Sequence, residues 1–383
     1  MTYSVLDLFA GCGGLGYGFK INKNFEINLA NDIWEPAKDT YTYNNPNIPF
    51  ILKDIAELNE NDIYQYFPNG VDVIIGGPPC QGFSMCGVRN INDERNGLFY
   101  EYARIVRITN PYIFVMENVK GLLSMKNKEG DLVIDAIYRE FKKIGYTVQH
   151  KVLNSKYYNV PQSRERVILV GTRNDLDINF EYPEKILDDN SLYTVDDALY
   201  GLGNTNSKDG ELSITSDSPN KFYNLIKSKN EKIYNHEVPS HKADVSHRMS
   251  FVPHGGNWQD IPEEFRVGGI HSNAYRRLDP SVPSVTIKHA YKSMIIHPNN
   301  NRCLSIREVA RLQSFKDDYI FKNSKTSQYQ QIANAVPPNL SIELAKSIDE
   351  FLIKNNVKNK ITNYNTLDEC AITSENYEQI SLF

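Results

Sequence analysis

An α/β fold, with a doubly wound, mostly parallel sheet and a second, smaller irregular domain, is predicted by three features of this 383-residue chain. Short apolar strands alternate with helical stretches over residues 1–175, a glycine-rich turn follows the first strand directly, and from 176 onward the chain turns irregular. Such alternation lays parallel strands side by side with helices on both faces, which leaves the carboxyl ends of the strands for ligands.

Strands are read at 3–9, 26–30, 71–75, 112–117, 147–153 and 166–171, where β-branched and aromatic residues cluster between turn signals. Helices are read between them at 34–43, 98–109 and 132–144. Over 176–325 the chain forms the second domain, with runs such as DDNS, GLGNTNSKDG, VPHGGN and LDPSVPS that carry turn chemistry. Helical character returns at 305–315 and again at 340–354, after Val336-Pro337-Pro338. Residues 355–383, rich in Asn, Thr and Glu, read as a flexible tail.

Composition narrows the class. With 40% apolar and 23% charged residues the chain is that of a soluble globular protein, and no stretch reaches the roughly 18 apolar residues of a membrane span. The N-terminus has no basic segment followed by a long apolar one, so no secretory signal is read. Five scattered cysteines make a disulfide framework unexpected and point to a reducing, cytoplasmic setting with free thiols. The net charge of −5 does not mark a nucleic-acid binder, but residues 221–302 hold twelve Lys and Arg against seven Asp and Glu. That local excess fits either a solvated face or a phosphate-binding one.

In DLFAGCGGLGYGF (7–19), Gly11, Gly13 and Gly16 fit G-x-G-x-x-G between a strand and a helix, and Asp32 follows at the distance of an acid that holds a ribose. Asp54, after the apolar run at 50–52, is a second acid for an adenine edge. Alone, these residues fit an adenosine cofactor, a NAD-linked dehydrogenase or a tight structural turn. GGPPCQGFS (76–84) then places Cys80 on two prolines that fix φ, between glycines that permit close approach, as a nucleophilic thiol requires. Cys86 lacks such flanks. FVMENVKG (114–121) delivers Glu117 and Asn118 at a strand's carboxyl end, where an acid beside a thiol suits covalent chemistry on a pyrimidine ring. PQSRERVILVG (161–171) adds Arg164 and Arg166, two residues apart and able to clamp an anionic or carbonyl-bearing group.

Taken in order, these segments resemble the DNA cytosine-5 methyltransferases of bacterial restriction-modification systems, over nearly the whole chain. The similar stretches are Phe9-Ala-Gly-Cys-Gly-Gly14, Pro78-Pro-Cys-Gln81, Glu117-Asn-Val119, Gln162-x-Arg164-x-Arg166, Ser305-Ile-Arg-Glu-Val-Ala-Arg-Leu-Gln-Ser-Phe315 and Asn334-Ala-Val-Pro-Pro338. The resemblance implies a Rossmann-like fold that binds S-adenosyl-L-methionine and methylates C5 of cytosine flipped from a specific double-stranded DNA sequence. Cys80 would add to C6 while Glu117, with Asn118 beside it, supports the ring at N3, and Arg164 and Arg166 would hold the base. Phe9, Gly11, Gly13, Asp32, Ile33, Asp54, Ile55, Pro79, Leu98, Asn334 and Val336 fall where the family lines its cofactor site. The resemblance also returns 326–354 to the first domain and makes 176–325 the target-recognition domain. Gln81, Ser84, Thr286 and Ile287 would lie on its DNA side.

Three positions depart from the family's pattern. Ala333 stands where glycine is usual, Ile33 where some members carry an aromatic against adenine, and Lys316 where proline is frequent; none removes a catalytic group. His236, His241, His247 and His254 have no zinc-like spacing, so no metal is expected. The ending Gln379-Ile-Ser-Leu-Phe383 resembles the peptide by which bacterial proteins dock on the sliding clamp. Monomeric action is the family's habit, and a cognate restriction endonuclease is a partner that the sequence leaves open. Two rivals stay open: transfer-RNA cytosine methylation, and a non-catalytic regulator that binds S-adenosylmethionine.

Overall fold

Seven strands form the main sheet: β1 (Tyr3–Leu8), β2 (Phe25–Asp32), β3 (Phe50–Leu52), β4 (Val73–Gly76), β5 (Ile113–Val119), β6 (Tyr146–Asn154) and β7 (Glu165–Arg173). The computed structural model describes residues 2–79, 97–127, 130–176, 178–204, 212–213, 218–228, 232–267 and 274–357. Strand order is β3-β2-β1-β4-β5-β7-β6, with β1 to β5 parallel and β7 antiparallel to both β5 and β6. The order reverses between β1 and β4, and a crevice opens at such a reversal because the neighbouring crossovers leave in opposite directions.

Side chains alternate between two cores. Leu6, Leu8, Ile74, Phe114, Met116, Val167 and Leu169 face one cluster, whereas Val5, Val73, Ile75, Ile113, Val115, Ile168 and Val170 face the other. With both faces buried, the strands read as continuous apolar runs instead of alternating ones. Helices α1 (Gly16–Ile21) and α2 (Glu35–Asn44) follow β1 and β2; α3 (Glu60–Tyr64), α4 (Leu98–Thr109) and α5 (Val133–Lys143) follow in turn. Ile63 of α3, Tyr102 and Val106 of α4 and Ile137 and Phe141 of α5 complete the first cluster.

Small helices α6 (Val195–Leu199), α7 (Lys221–Ile226) and α8 (Ala243–Ser250) and a two-residue pair, β8 (Leu212–Ser213) with β9 (Lys232–Ile233), are the regular parts of the irregular region before α9 (Ile306–Leu312). The chain closes with α10 (Lys325–Asn334) and α11 (Pro338–Lys354). Leu340, Leu344, Ile348 and Leu352 of α11 join the second sheet cluster with Phe19 of α1, and Gly18 N donates to Ser341 Oγ at 3.0 Å. β3, α3 and α10 are not legible in the sequence pattern. Three and five residues are too few to show a period, and α10 (KTSQYQQIAN) buries Tyr329 and Ile332 in a face otherwise made of glutamines and small residues.

Because Leu344 is fully buried between sheet and helix, Leu344→Ala should lower unfolding stability by about 2–5 kcal/mol in urea titrations. A loss under about 1 kcal/mol would mean that α11 is not integral to the sheet's core.

Candidate active site

A cleft of about 1160 Å³ lies where strand order reverses, at the carboxyl ends of β1, β2, β4 and β5. Ten of the residues expected at a cofactor site line it: Phe9, Gly11, Asp32, Ile33, Asp54, Ile55, Pro79, Leu98, Asn334 and Val336. Gly13 does not line it; with φ +89° it turns its back on Tyr319 and Tyr41, so its part is to shape the loop. Phe9, at φ +51°, takes a left-handed conformation uncommon for a bulky side chain.

Asp32 holds the loop shut. One carboxylate oxygen accepts from Gly11 N and the other from Trp34 N, each at 2.8 Å. Burial raises its pKa, while these backbone N–H groups pull the other way. Asp54 Oδ1 accepts from Ala56 N at 2.9 Å and caps the short turn at Ile55–Glu57. Ile33 is 65% exposed at the cleft, and Trp34 lines it one residue later, so an aromatic surface is present after all. Sequence reasoning passed over Trp34, Lys53, Glu101 and Gln331, which also line the cleft. Of these only Trp34 carried a signal, as one of two tryptophans in the chain and the neighbour of Ile33.

On the β4–β5 side, Glu117 and Arg166 form an ion pair, Oε1 to Nε 2.7 Å, with each side chain 12% exposed. The antiparallel register sets Val119 opposite Arg166 and so brings the second strand's cation to the first strand's acid. Gly77 lies against the carboxylate; a Cβ there would come within 3.1 Å of Glu117 Oε2. Asn118 Nδ2 donates to the Pro78 carbonyl at 3.0 Å, and its Oδ1 accepts from Val119 N. The amide therefore latches the proline arm to the strand that carries Glu117. Cys80, Gln81, Ser84 and the terminal Gln379-Ile-Ser-Leu-Phe383 lie outside the described residues.

Arg164 differs from Arg166. It lines the cleft, yet its side chain is 1% exposed and its Nη2 donates to the carbonyls of Ala333 (2.8 Å) and Ala335 (3.1 Å). The methyl of Ala333 sits in the last turn of α10, a conformation open to any residue, so this departure is accommodated. Thr286 Oγ1 donates to the Ser163 carbonyl at 2.8 Å, and Ser284 pairs with Gln162, so the second region is stitched to the strand that leads into Arg164. Ile287 is buried in the core shared with Leu278 and Leu304, so its side chain supports Thr286 and presents no surface of its own.

The positive excess of 221–302 is partly internal. Arg277 is buried and donates to carbonyls of Met249, Val252, His297, Pro298 and Asn300, and Arg302 pairs with buried Glu308 at 2.7 Å. Lys242, Arg266, Lys288 and Lys292 remain exposed. The histidines serve the fold: His236 bonds Ser305 and the Gly203 carbonyl, His241 accepts from Cys303 N, and His254 reaches the Pro298 carbonyl. Among the described residues no cluster of His, Cys, Asp or Glu could hold a metal, and no helix is long and apolar enough to cross a membrane.

A doubly wound sheet whose switch-point cleft carries an acid-closed glycine loop, apolar walls and an acid–arginine pair at the next strand ends defines a Rossmann-like fold with a site for an adenosine cofactor. Residues 3–350 match the family described as C-5 cytosine-specific DNA methylase. The chain is 38% identical to the Type II methyltransferase M.DdeI of Desulfomicrobium norvegicum, across 93% of this chain and 91% of that one. It is also 38% identical to M.FnuDI of Fusobacterium nucleatum, across 93% and 97%. A solved Escherichia coli structure, described as a prophage-encoded DNA modification methyltransferase, superposes with a TM-score of 0.75 at 26% identity, covering 92% of this chain and all of that one. This protein therefore belongs to the C-5 cytosine-specific DNA methylases: it methylates cytosine in DNA with S-adenosylmethionine as donor. The Type II methyltransferases, similar over nine-tenths of the chain, favour DNA over transfer RNA and an enzyme over a silent regulator.

Beneath the glycine loop, Asp7 is fully buried, takes one bond from Tyr41 and, among the described residues, leaves Oδ1 without a partner; burial pushes its pKa from 3.8 to about 8. The unfolded chain ionises Asp7 above its ordinary value, whereas the folded chain keeps the proton. Stability from this group is therefore full below pH 3.8 and falls as pH rises toward about 8. Asp7→Asn should remove that slope, so its stability advantage over the wild type in urea should grow from about pH 4 to about pH 8. A pH-independent difference would contradict this account.

Proposed function

We propose that Cys80 is the covalent nucleophile and that Glu117, aligned by Arg166, manages the proton at N3 of a cytosine flipped out of double-stranded DNA. The observation that carries this is the Glu117–Arg166 pair at 2.7 Å beside the Pro78 arm that Asn118 latches, two residues before Cys80. When bound, S-adenosylmethionine supplies an electrophilic methyl group. The cleft suits it: Ile33, Trp34 and Ile55 offer apolar surface for an adenine, and the Asp32 and Asp54 carboxylates offer acceptors for hydroxyl and amino groups.

The Cys80 thiolate would add to C6 as Glu117 gives a proton to N3, the C5–C6 π pair would move to C5, and C5 would take the methyl group with S-adenosylhomocysteine as the leaving group. Water would take the C5 proton, its C–H pair would re-form C5=C6 as the C6–S bond breaks to release the Cys80 thiolate, and N3 would return its proton to Glu117. Arg166 keeps Glu117 oriented and balances its charge when it is ionised. Asn118 holds the Pro78 carbonyl and with it the approach of the loop. Thr286, with Gln81 and Ser84 from the nucleophile loop, would meet the DNA beside the displaced base, and the exposed Lys288 and Lys292 would meet phosphates.

The Type II names of the relatives support a specific recognition sequence and a cognate restriction endonuclease, and we propose monomeric action in the cytoplasm as the family's habit. The ending Gln379-Ile-Ser-Leu-Phe383, an apolar pair on a polar tether, supports docking on a sliding clamp. No binding of a 370–383 peptide to the clamp up to high micromolar concentration would remove that part.

Bisulfite sequencing of unmethylated plasmid after incubation with S-adenosylmethionine should show protected cytosines in one repeated context. Cys80→Ala should abolish the protection, and Glu117→Gln should slow its appearance by about 10²- to 10⁴-fold. Protection that persists with Cys80→Ala would overturn the covalent mechanism.

A further inference from the structure

We infer that Arg164 is a positioning residue for the cofactor wall, tying the base-handling strand to residues 333–336 so that cofactor affinity depends on it before DNA arrives. The inference rests on the cofactor reading of the cleft above and departs from a role for Arg164 on the base.

Among the described residues Arg164 shares burial and carbonyl bonding with Arg277, but it alone of the buried arginines leaves a guanidinium nitrogen without a partner. Its buried guanidinium has no carboxylate within salt-bridge distance, and its Nε no partner, among the described residues. Its neighbours Arg166 and Glu117 act on it in opposite senses, and burial holds its pKa well below the usual arginine value. An isolated buried cation is unfavourable unless its hydrogen bonds do something that a neutral group cannot.

Those bonds go to a helix end. The last carbonyls of α10 lack intrahelical donors; Ala335 N closes onto Gln331 and Ile332, and Arg164 caps Ala333 and, one residue past the helix, Ala335. A cation is favoured there by the helix dipole. Between the two capped carbonyls stands Asn334, which lines the cleft, and Val336 follows. The wall then meets the glycine loop directly: a Cβ on Gly14 would come within 2.3 Å of the Val336 carbonyl. Arg164, with Gln313 Nε2 on the same Ala335 carbonyl at 2.7 Å, thus holds the turn from α10 to α11 where that turn meets the loop after β1. Both bonds leave from one nitrogen, Nη2, so a lysine could supply the two donors but not the fixed planar group that aims them.

The test is titration calorimetry of the full chain with S-adenosylhomocysteine in the absence of DNA, for wild type, Arg164→Gln, Arg164→Lys and Arg166→Gln, beside methylation rates. Arg164→Gln should weaken the binary complex about tenfold, as loss of a buried charge-assisted bond predicts, and Arg164→Lys by less. Arg166→Gln should stay within about twofold in binding and lose methylation rate instead. Should Arg164→Gln fail to fold, Arg164→Lys decides, with at least about threefold weakening required. Wild-type binary affinity in the Arg164 variants, even with methylation lost, would overturn the inference and leave the proposed reaction standing. Failure of Cys80→Ala to abolish methylation would do the reverse.

Discussion

Burial of the parallel sheet on both faces is the constraint on which the rest of the structure depends. Once Val5, Val73 and Val115 face one core and Leu6, Ile74 and Met116 the other, no polar chemistry fits on either face. The strand ends are what remain, and parallel strands put their carboxyl ends along one edge. The loops after β1, β4 and β5 therefore meet there by topology, and the reversal between β1 and β4 opens the crevice that holds a ligand.

Antiparallel β7 completes the site. A further parallel strand would have sent residue 166 to the opposite edge, whereas the reversed strand starts at the active edge and brings Arg166 to Glu117. The same turn into β7 places Arg164 against the end of α10, and the strand pairing of Ser284 with Gln162 anchors the second region beside it. The Glu117–Arg166 pair, the turn after α10 and the second region are thus joined within the few residues 162–166.

The irregular region is organised by buried guanidinium groups more than by regular elements. Arg307 donates to the carbonyls of Tyr234, Lys316 and Tyr319, and Arg311 pairs with buried Asp317 at 2.8 Å while also reaching the Ala198 and Tyr200 carbonyls. Both lie on α9, whose Ser305–Glu308 capping box also engages Arg302. A loop-rich chain has many backbone carbonyls without ladder partners, and a guanidinium with five N–H groups satisfies several at once. Lys316, where the family often has proline, is bonded through its own carbonyl, which either residue supplies.

The sequence by itself determined the sheet's long strands, the helices at 98–109 and 340–354 to within a few residues, and the order of the chemical segments. Each of these is written in local pattern: an apolar run, a helical period, a glycine turn, a thiol on two prolines. It did not show β3 or α10, which are too short or too polar for periodicity. It set Arg164 and Arg166 side by side as equals, with nothing in R-E-R to tell a residue that meets Glu117 from one that caps a helix some 170 positions away. It likewise counted Arg277 and Arg302 toward a basic surface and Ile287 toward the DNA side, although all three are buried. Only the tertiary structure decided those roles, because burial and hydrogen-bond partners depend on segments distant in the chain, while pattern reports a residue's near neighbours alone.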